Sequence, residues 1–575
     1  MRLYFKLLPA LATLLTATIL FAVPVAPVRA RHGMVASVQQ LASRAGIEIL
    51  QSGGNAVDAA VATGFALAVV HPQAGNLGGG GFMLIRMAAG PTHFLDYREK
   101  APSAATANMY LDSLGNIVEN ASTIGYKAIG VPGSVAGLTF AEKKYGKLTL
   151  AKVMAPAIRL ARQGFALSAR DAKDLQDQYL GEFPESRYIF QRNGKYYKAG
   201  EIFRQPALAR TLERIARDPE EFYHGAMARE LAGSIQKGGG LVTAEDLAHY
   251  EVKEREPVRG AYRGYEIISA PPPSSGGIAL LEILNILEGY DLGRLGADSA
   301  ESMHLTLEAY RRAFFDRAEF LGDPDFAQIP VAQLIDKKYA AAWRQSIDPA
   351  HATRSDQLKR PAIFSQLEQY AAAHPQPTAV IDPPHTTHYS IVDAQGNAVA
   401  VTTTLNDTFG SRVTAGGLGF LLNDEMDDFT SKPGAPNLYG LVQGPANAIA
   451  PGKRPLSSMM PTMVLKDGKL FLVMGSPGGS RIITTVANIL MGVVDYGLNI
   501  QQAVDAPRFH NQWLPDATLV ELGIPPKTIA RLDTMGHRVQ THAYWSDGEC
   551  VAIDLRTGER LGASDFRNGG KAVGY

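Results

Sequence analysis

The chain has 575 residues, more than one ordinary hydrophobic core organises, so two lobes or one large layered domain is expected. Hydrophobic residues make up 46% and charged residues 19%, which excludes a disordered chain. Lys+Arg and Asp+Glu balance at 56 each, which predicts no basic surface for nucleic acid or for anionic lipid.

Arg2 and Lys6 precede an apolar run from Leu7 to about Val23, followed by small residues and prolines. That is the plan of a secretory signal over residues 1–30. A cut after Ala30 is expected, and earlier cuts after Ala22 or Ala26 are alternatives. The run is short for a membrane span and contains Pro9; an uncleaved anchor is the competing reading. The single cysteine, Cys550, can form no internal disulfide and no zinc cluster. A bacterial periplasmic or secreted protein reconciles export with the absence of disulfides.

After this segment Ser37 is expected to cap a helix ending at Gly53-Gly54, and Asn55 to cap a second, "NAVDAAVATGFALAVV". The second is apolar nearly all round and should be buried. "GNLGGGGFMLIRM" passes from a glycine loop into a strand, and "THFLDYREKAP" reads as its hairpin partner across Gly90-Pro91. Residues from about Leu148 to Asp348 show mostly helical spacing, interrupted by the rigid loop "SAPPPSSGG". His351 to Pro384 is polar and Pro-rich and reads as an exposed connector.

The last third alternates apolar and polar residues. His388–Val392 and Ala398–Leu405 read as two strands joined by "DAQGN", "PTMVLKDGKLFLVMG" as a hairpin turning at Asp467-Gly468, and "ECVAIDLRTGERLGAS" as another. "SRIITTVANILMGVVDYG" reads as a helix after a glycine turn. Segregated strands and helices favour an α+β fold of stacked sheets under covering helices.

Taken alone, the motifs have bland readings. Thr386-Thr387 is ordinary strand sequence. His385 and His388 lack the acid cluster a metal site would need. "GSPGGSR" is a tight turn whose amides can hold an anion, Ser457 and Ser458 are turn formers, and "NDEMDDF" is a solvated acidic loop.

Together, "GNAVDAAVATGFALAVVHPQAGNLGGGGFMLIR", "DYREKAP", "APPPSSGG", "TTHYSIVD", "NDEMDDF", "RPLSSMMPT" and "GSPGGSRIITT" resemble the γ-glutamyltransferases, from about Val28 to Tyr575. The resemblance implies the four-layer αββα sandwich of the N-terminal-nucleophile hydrolases and an inactive precursor that cleaves itself. By that resemblance the cut falls between His385 and Thr386, leaving a large subunit of residues 31–385 and a small one of 386–575 as a heterodimer.

The resemblance makes Thr386 the nucleophile and Thr404 its hydrogen-bonding neighbour. Gly478 and Gly479 become the oxyanion hole. Arg98, Ser457 and Ser458 would hold the donor's α-carboxylate, and Asp428, helped by Asn406 and Glu425, its α-ammonium. Residues 432–444 match a lid with Tyr439 as its inner residue. Glu425 stands where some bacterial relatives have glutamine, which would add a negative charge. Implied partners are glutathione and other γ-glutamyl compounds, with amino-acid or dipeptide acceptors. No metal or organic cofactor is implied. Two rivals remain: a glutaryl-type cephalosporin acylase on the same fold, and a non-catalytic cell-envelope binding protein.

Overall fold

The structure, a computed structural model, describes residues 25–362 and 386–575. Most of the expected signal, the Pro-rich part of the connector and His385 lie outside the described residues.

Two seven-stranded sheets form the centre. One runs, edge to edge, Lys571–Gly574, Met34–Ser37, Thr386–Val392, Ala398–Thr404, Gly80–Arg86, Thr92–Tyr97 and Lys253–Arg255. The other runs Val28–Ala30, Arg560–Ser564, Glu549–Ile553, Lys469–Met474, Thr462–Lys466, Tyr265–Ser269 and Val258–Tyr262. Every pairing within these two sheets is antiparallel.

The two-residue period of the strands divides the core. Tyr389, Ile391, Val399 and Val401 point to one face and pack with the helix Ala56–Val70. Val392 and Ala400 point to the other and pack with Met463 and Val473 of the second sheet. The helices Gly276–Leu287, Ala300–Phe320 and Arg481–Val494 share that second core and cover the second sheet. The result is a helix–sheet–sheet–helix sandwich, as the segregated pattern predicts.

Asn55 caps its helix as expected, in a reciprocal capping box with Asp58, and all fifteen helical residues are buried. Ser37 does not cap the first helix. Gln39 does, over Gln40–Gln51, and Ser37 instead ends a strand and bonds the Ser43 hydroxyl at 2.7 Å. The strand of residues 34–37 sits deep in a sheet and takes the chain two residues past the expected start. The hairpins at Gly90-Pro91 and Asp467-Gly468 form as expected, with Asp467 and Gly468 both at positive φ (50° and 74°).

Candidate active site

Thr386 opens a strand in the middle of its sheet. It pairs with Thr404 on one side, but the neighbouring strand of Met34–Ser37 reaches only to Tyr389. The first three residues therefore lie beyond the ladder on that side, where a substrate can approach. The Thr386 and Thr404 hydroxyls stand 3.2 Å apart. The Asn406 amide N–H donates to Thr404 Oγ1 at 2.9 Å and fixes that side chain. The glycine loop permits this packing: a Cβ at Gly79 would lie 2.0 Å from the Thr404 carbonyl oxygen. His388 is no metal ligand. Burial pushes its imidazole down to about 3, and its nitrogens meet Thr402 and Ser390 at 2.8 and 3.0 Å.

Arg98 follows the strand Thr92–Tyr97 directly and is wholly buried. Its Nη1 bonds Glu425 and its Nη2 bonds Asp428, with Glu99 3.4 Å from Nη1. Burial alone would lower its guanidinium, but Glu425, Asp428 and Glu99 together hold it above the usual value. The "NDEMDDF" loop is thus not a solvated face. Asp424, Glu425 and Asp427 are buried, and Arg98 compensates part of the charge. Burial also pushes Glu425 well above the usual carboxylate range, against the pull of Arg98, and Glu99 up to about 7. Burial thus works against the extra negative charge expected of Glu425, and Arg98 works for it.

Ser457 and Ser458 enter from the loop before the strand Thr462–Lys466; Ser457 forms a bridge with Ser274 of the "SAPPPSSGG" loop. The Asn406 side-chain amide donates to Asp424 at 3.2 Å rather than to Asp428, and among the described residues its Oδ1 accepts nothing. Gly478 and Gly479 turn the chain with φ of 125° and 56°, into the helix Arg481–Val494. Among the described residues neither glycine amide donates a hydrogen bond.

Tyr439 closes the site. Its hydroxyl donates to the Asn406 carbonyl at 2.7 Å, and a Cβ on Gly479 would lie 2.5 Å from its ring. Asp427 accepts from the Leu438 amide at 3.0 Å and holds the loop down. The cavity beneath brings together Thr386, Thr404, Arg98, Asn406, Glu425, Asp428, Tyr439, Ser457, Ser458 and Gly479. Gly478 lies behind it, against Ser546. One further side chain reaches the cavity without any signal in the motifs: Arg317, from the last turn of the helix Ala300–Phe320. The cavity holds about 20 Å³, room for roughly one water.

The γ-glutamyltranspeptidase family model matches residues 42–575. The chain belongs to that family. It is 50% identical to the glutathione hydrolase proenzyme of Escherichia coli (strain K12), over 94% of this chain and 91% of that one. It is 49% identical to the glutathione hydrolase proenzyme of Pseudomonas sp. (strain A14), over 96% and 95%. The Acylase ACY 1 proenzyme of Pseudomonas sp. (strain SE83) is 36% identical. Among solved structures, the Helicobacter pylori γ-glutamyltranspeptidase matches 58% of this chain and 96% of its own at a TM-score of 0.56 and 46% identity. Cephalosporin acylase from Bacillus halodurans matches 98% and 99% at a TM-score of 0.83 and 28% identity. The sandwich is common to both, and sequence identity sets this chain with the γ-glutamyltranspeptidases.

Proposed function

We propose that the protein is a γ-glutamyltransferase and glutathione hydrolase in which Thr386 is the nucleophile. The observation that carries this reading is one buried cavity holding Thr386 beside Arg98, Asp428, Ser457, Ser458 and Gly479. The precursor matures when the Thr386 hydroxyl attacks the carbonyl of His385, and water then cleaves the resulting ester. The cut frees the Thr386 α-amine. Such an amine has an unperturbed pKa of roughly 7.7–8.0 and accepts a proton at neutral pH, so one residue supplies nucleophile and base.

In turnover the Thr386 Oγ1 attacks the γ-amide carbon and its proton passes to the α-amine. The carbonyl oxygen takes up negative charge, which the unoccupied amides of Gly478 and Gly479 stabilise. The C–N bond breaks, the leaving amine takes the proton, and a γ-glutamyl ester remains on Thr386. Water gives hydrolysis; the amine of an amino acid or dipeptide gives transfer. A second cavity, of about 200 Å³, also reaches Thr386 and offers room for an acceptor. The chemistry calls for no metal or organic cofactor.

The donor is a zwitterion, and both of its charges need partners once water is excluded. Asp428, with the free Oδ1 of Asn406 and with Glu425, receives the ammonium. Arg98, Ser457 and Ser458 receive the carboxylate. The lid over the cavity favours small γ-glutamyl compounds. Residues up to 385 form the large subunit and 386–575 the small one, a heterodimer held by their shared sheet. Among the described residues no helix is long and apolar enough to cross a membrane. The N-terminal segment directs the protein to the periplasm or outside the cell. A cut after Ala26 would keep the edge strand Val28–Ala30, which pairs with Arg560–Gly562; a cut after Ala30 would remove it.

A glutaryl donor brings no ammonium for Asp428 to receive, whereas a γ-glutamyl donor does. Asp428→Asn should therefore lower kcat/KM for γ-glutamyl-p-nitroanilide by about 10- to 100-fold, the worth of a charged hydrogen bond. Turnover of glutaryl-p-nitroanilide should not fall with it. Unchanged γ-glutamyl turnover would show the donor assignment to be wrong.

A further inference from the structure

Arg317 lies near the end of the helix Ala300–Phe320, of which seventeen residues are buried. The other two buried arginines of that helix have carboxylates: Arg311 meets Glu308 and Asp516, and Arg312 meets Glu308. Arg317 is only 2% exposed, and among the described residues no carboxylate oxygen stands within 4.0 Å of it. Burial lowers its guanidinium to about 10, partly opposed by Asp428, so it stays charged at neutral pH. Its Nε donates to Ser275 Oγ at 3.0 Å and its Nη2 to Ser458 Oγ at 3.2 Å. Among the described residues its Nη1 has no hydrogen-bond partner. A buried cation left in this state is costly unless a ligand supplies the missing anion.

The hydrogen-bond directions point the same way. A guanidinium only donates, so Ser458 must accept from Arg317. Its own O–H then has no acceptor among the described residues. Ser457 stands similarly: its Oγ accepts from the Met459 amide at 3.0 Å, and its O–H also has no acceptor among the described residues. Ser275, the other partner of Arg317, spends its O–H on the Ser457 carbonyl at 2.7 Å. The cavity thus presents two hydroxyl donors beside a cation that, among the described residues, has no carboxylate within 4.0 Å. Arg98, by contrast, already faces three carboxylates.

We propose that Arg317 completes the carboxylate-binding part of the donor site, as the unneutralised charge behind Ser458 and as the group that turns the Ser458 hydroxyl toward the ligand. This rests on the reading of the cavity as a γ-glutamyl site. Arg317 is a positioning residue and sets the preference for donors that carry an α-carboxylate; it takes no part in the bond-making step.

The test compares wild type, R317M, R317K, S458A and R317M/S458A, each first checked by intact mass for cleavage. The donors are γ-glutamyl-p-nitroanilide and 4-aminobutanoyl-p-nitroanilide, which lacks only the α-carboxylate. R317M should raise KM for the γ-glutamyl donor by about 10- to 100-fold, with kcat changed only a few-fold. Its effect on the 4-aminobutanoyl donor should be slight. R317K should fall between R317M and wild type, because it keeps the charge but loses the planar fork. If R317M does not mature, R317K carries the same comparison. Because Arg317 acts through Ser458, the double variant should be much less impaired than the product of the single effects predicts. Equal losses on both donors, an unchanged KM, or strictly multiplicative effects would each overturn the proposal. A wild-type enzyme inactive on the γ-glutamyl donor would instead overturn the function on which it rests.

Discussion

Thr386→Ala should give one uncleaved chain and lower γ-glutamyl turnover by roughly 10⁶-fold, the loss seen when a hydroxyl nucleophile is removed from a serine hydrolase. Two consequences follow from the missing Oγ1. Without Oγ1 there is no attack on the carbonyl of His385, so no α-amine is freed. Without Oγ1 there is also no acceptor for the γ-glutamyl group. Intact-mass measurement and N-terminal sequencing separate these. Wild type should yield a smaller chain beginning Thr-Thr-His-Tyr-Ser, and the variant a single species. Co-expressing residues 31–385 with residues 386–575 bypasses the cleavage step. Activity should then appear with threonine at 386 and stay absent with alanine. If the alanine form were active when co-expressed, Thr386 would serve maturation alone and the nucleophile would lie elsewhere. Thr404→Ala is a milder change. It removes one neighbour 3.2 Å from the nucleophile and leaves the backbone pairing intact. A loss of about 10-fold is expected from one such hydrogen bond.

The strands around Thr386 are legible because alternation is a local signal. Tyr389 and Ile391 face one core and Ser390 and Val392 the other, as their spacing requires. Asn55 is legible for the same reason, since its cap partner Asp58 is three residues away. What misleads is charge whose partner is remote. "NDEMDDF" reads as a solvated loop because Arg98, which compensates it, lies 330 residues before Asp428. Arg317 is harder still. In "RRAFFDRAEF" it looks like one member of a charged helical face; Glu308, three and four residues back, is a local sign of a partner for Arg311 and Arg312, but nothing local shows that Arg317 finds serine hydroxyls. Ser37 fails differently: a serine ahead of a helix is a good cap, yet sheet pairing with Lys571 and Tyr389 holds it in a strand.

Arg98→Met should damage both stability and activity, and a second substitution should separate the two. The guanidinium is fully buried with Glu425, Asp428 and Glu99 around it. Removing one member of a buried ion cluster typically costs about 3–5 kcal/mol, because charges are left unpaired. Here the remaining carboxylates can escape part of that penalty by taking up protons. Burial already pushes Glu425 well above the usual range, so it neutralises most readily. Adding Glu425→Gln to Arg98→Met should therefore recover a measurable part of the lost thermal stability. It should recover none of the activity, since the donor's α-carboxylate still lacks Arg98. Glu425→Gln alone should lower kcat/KM at least tenfold less than Arg98→Met does, as an amide resembles the protonated carboxyl. If the double variant regained turnover along with stability, Arg98 would be a structural counterion only. The carboxylate would then depend on Arg317, Ser457 and Ser458, and the acidic loop would be what Arg98 exists to hold.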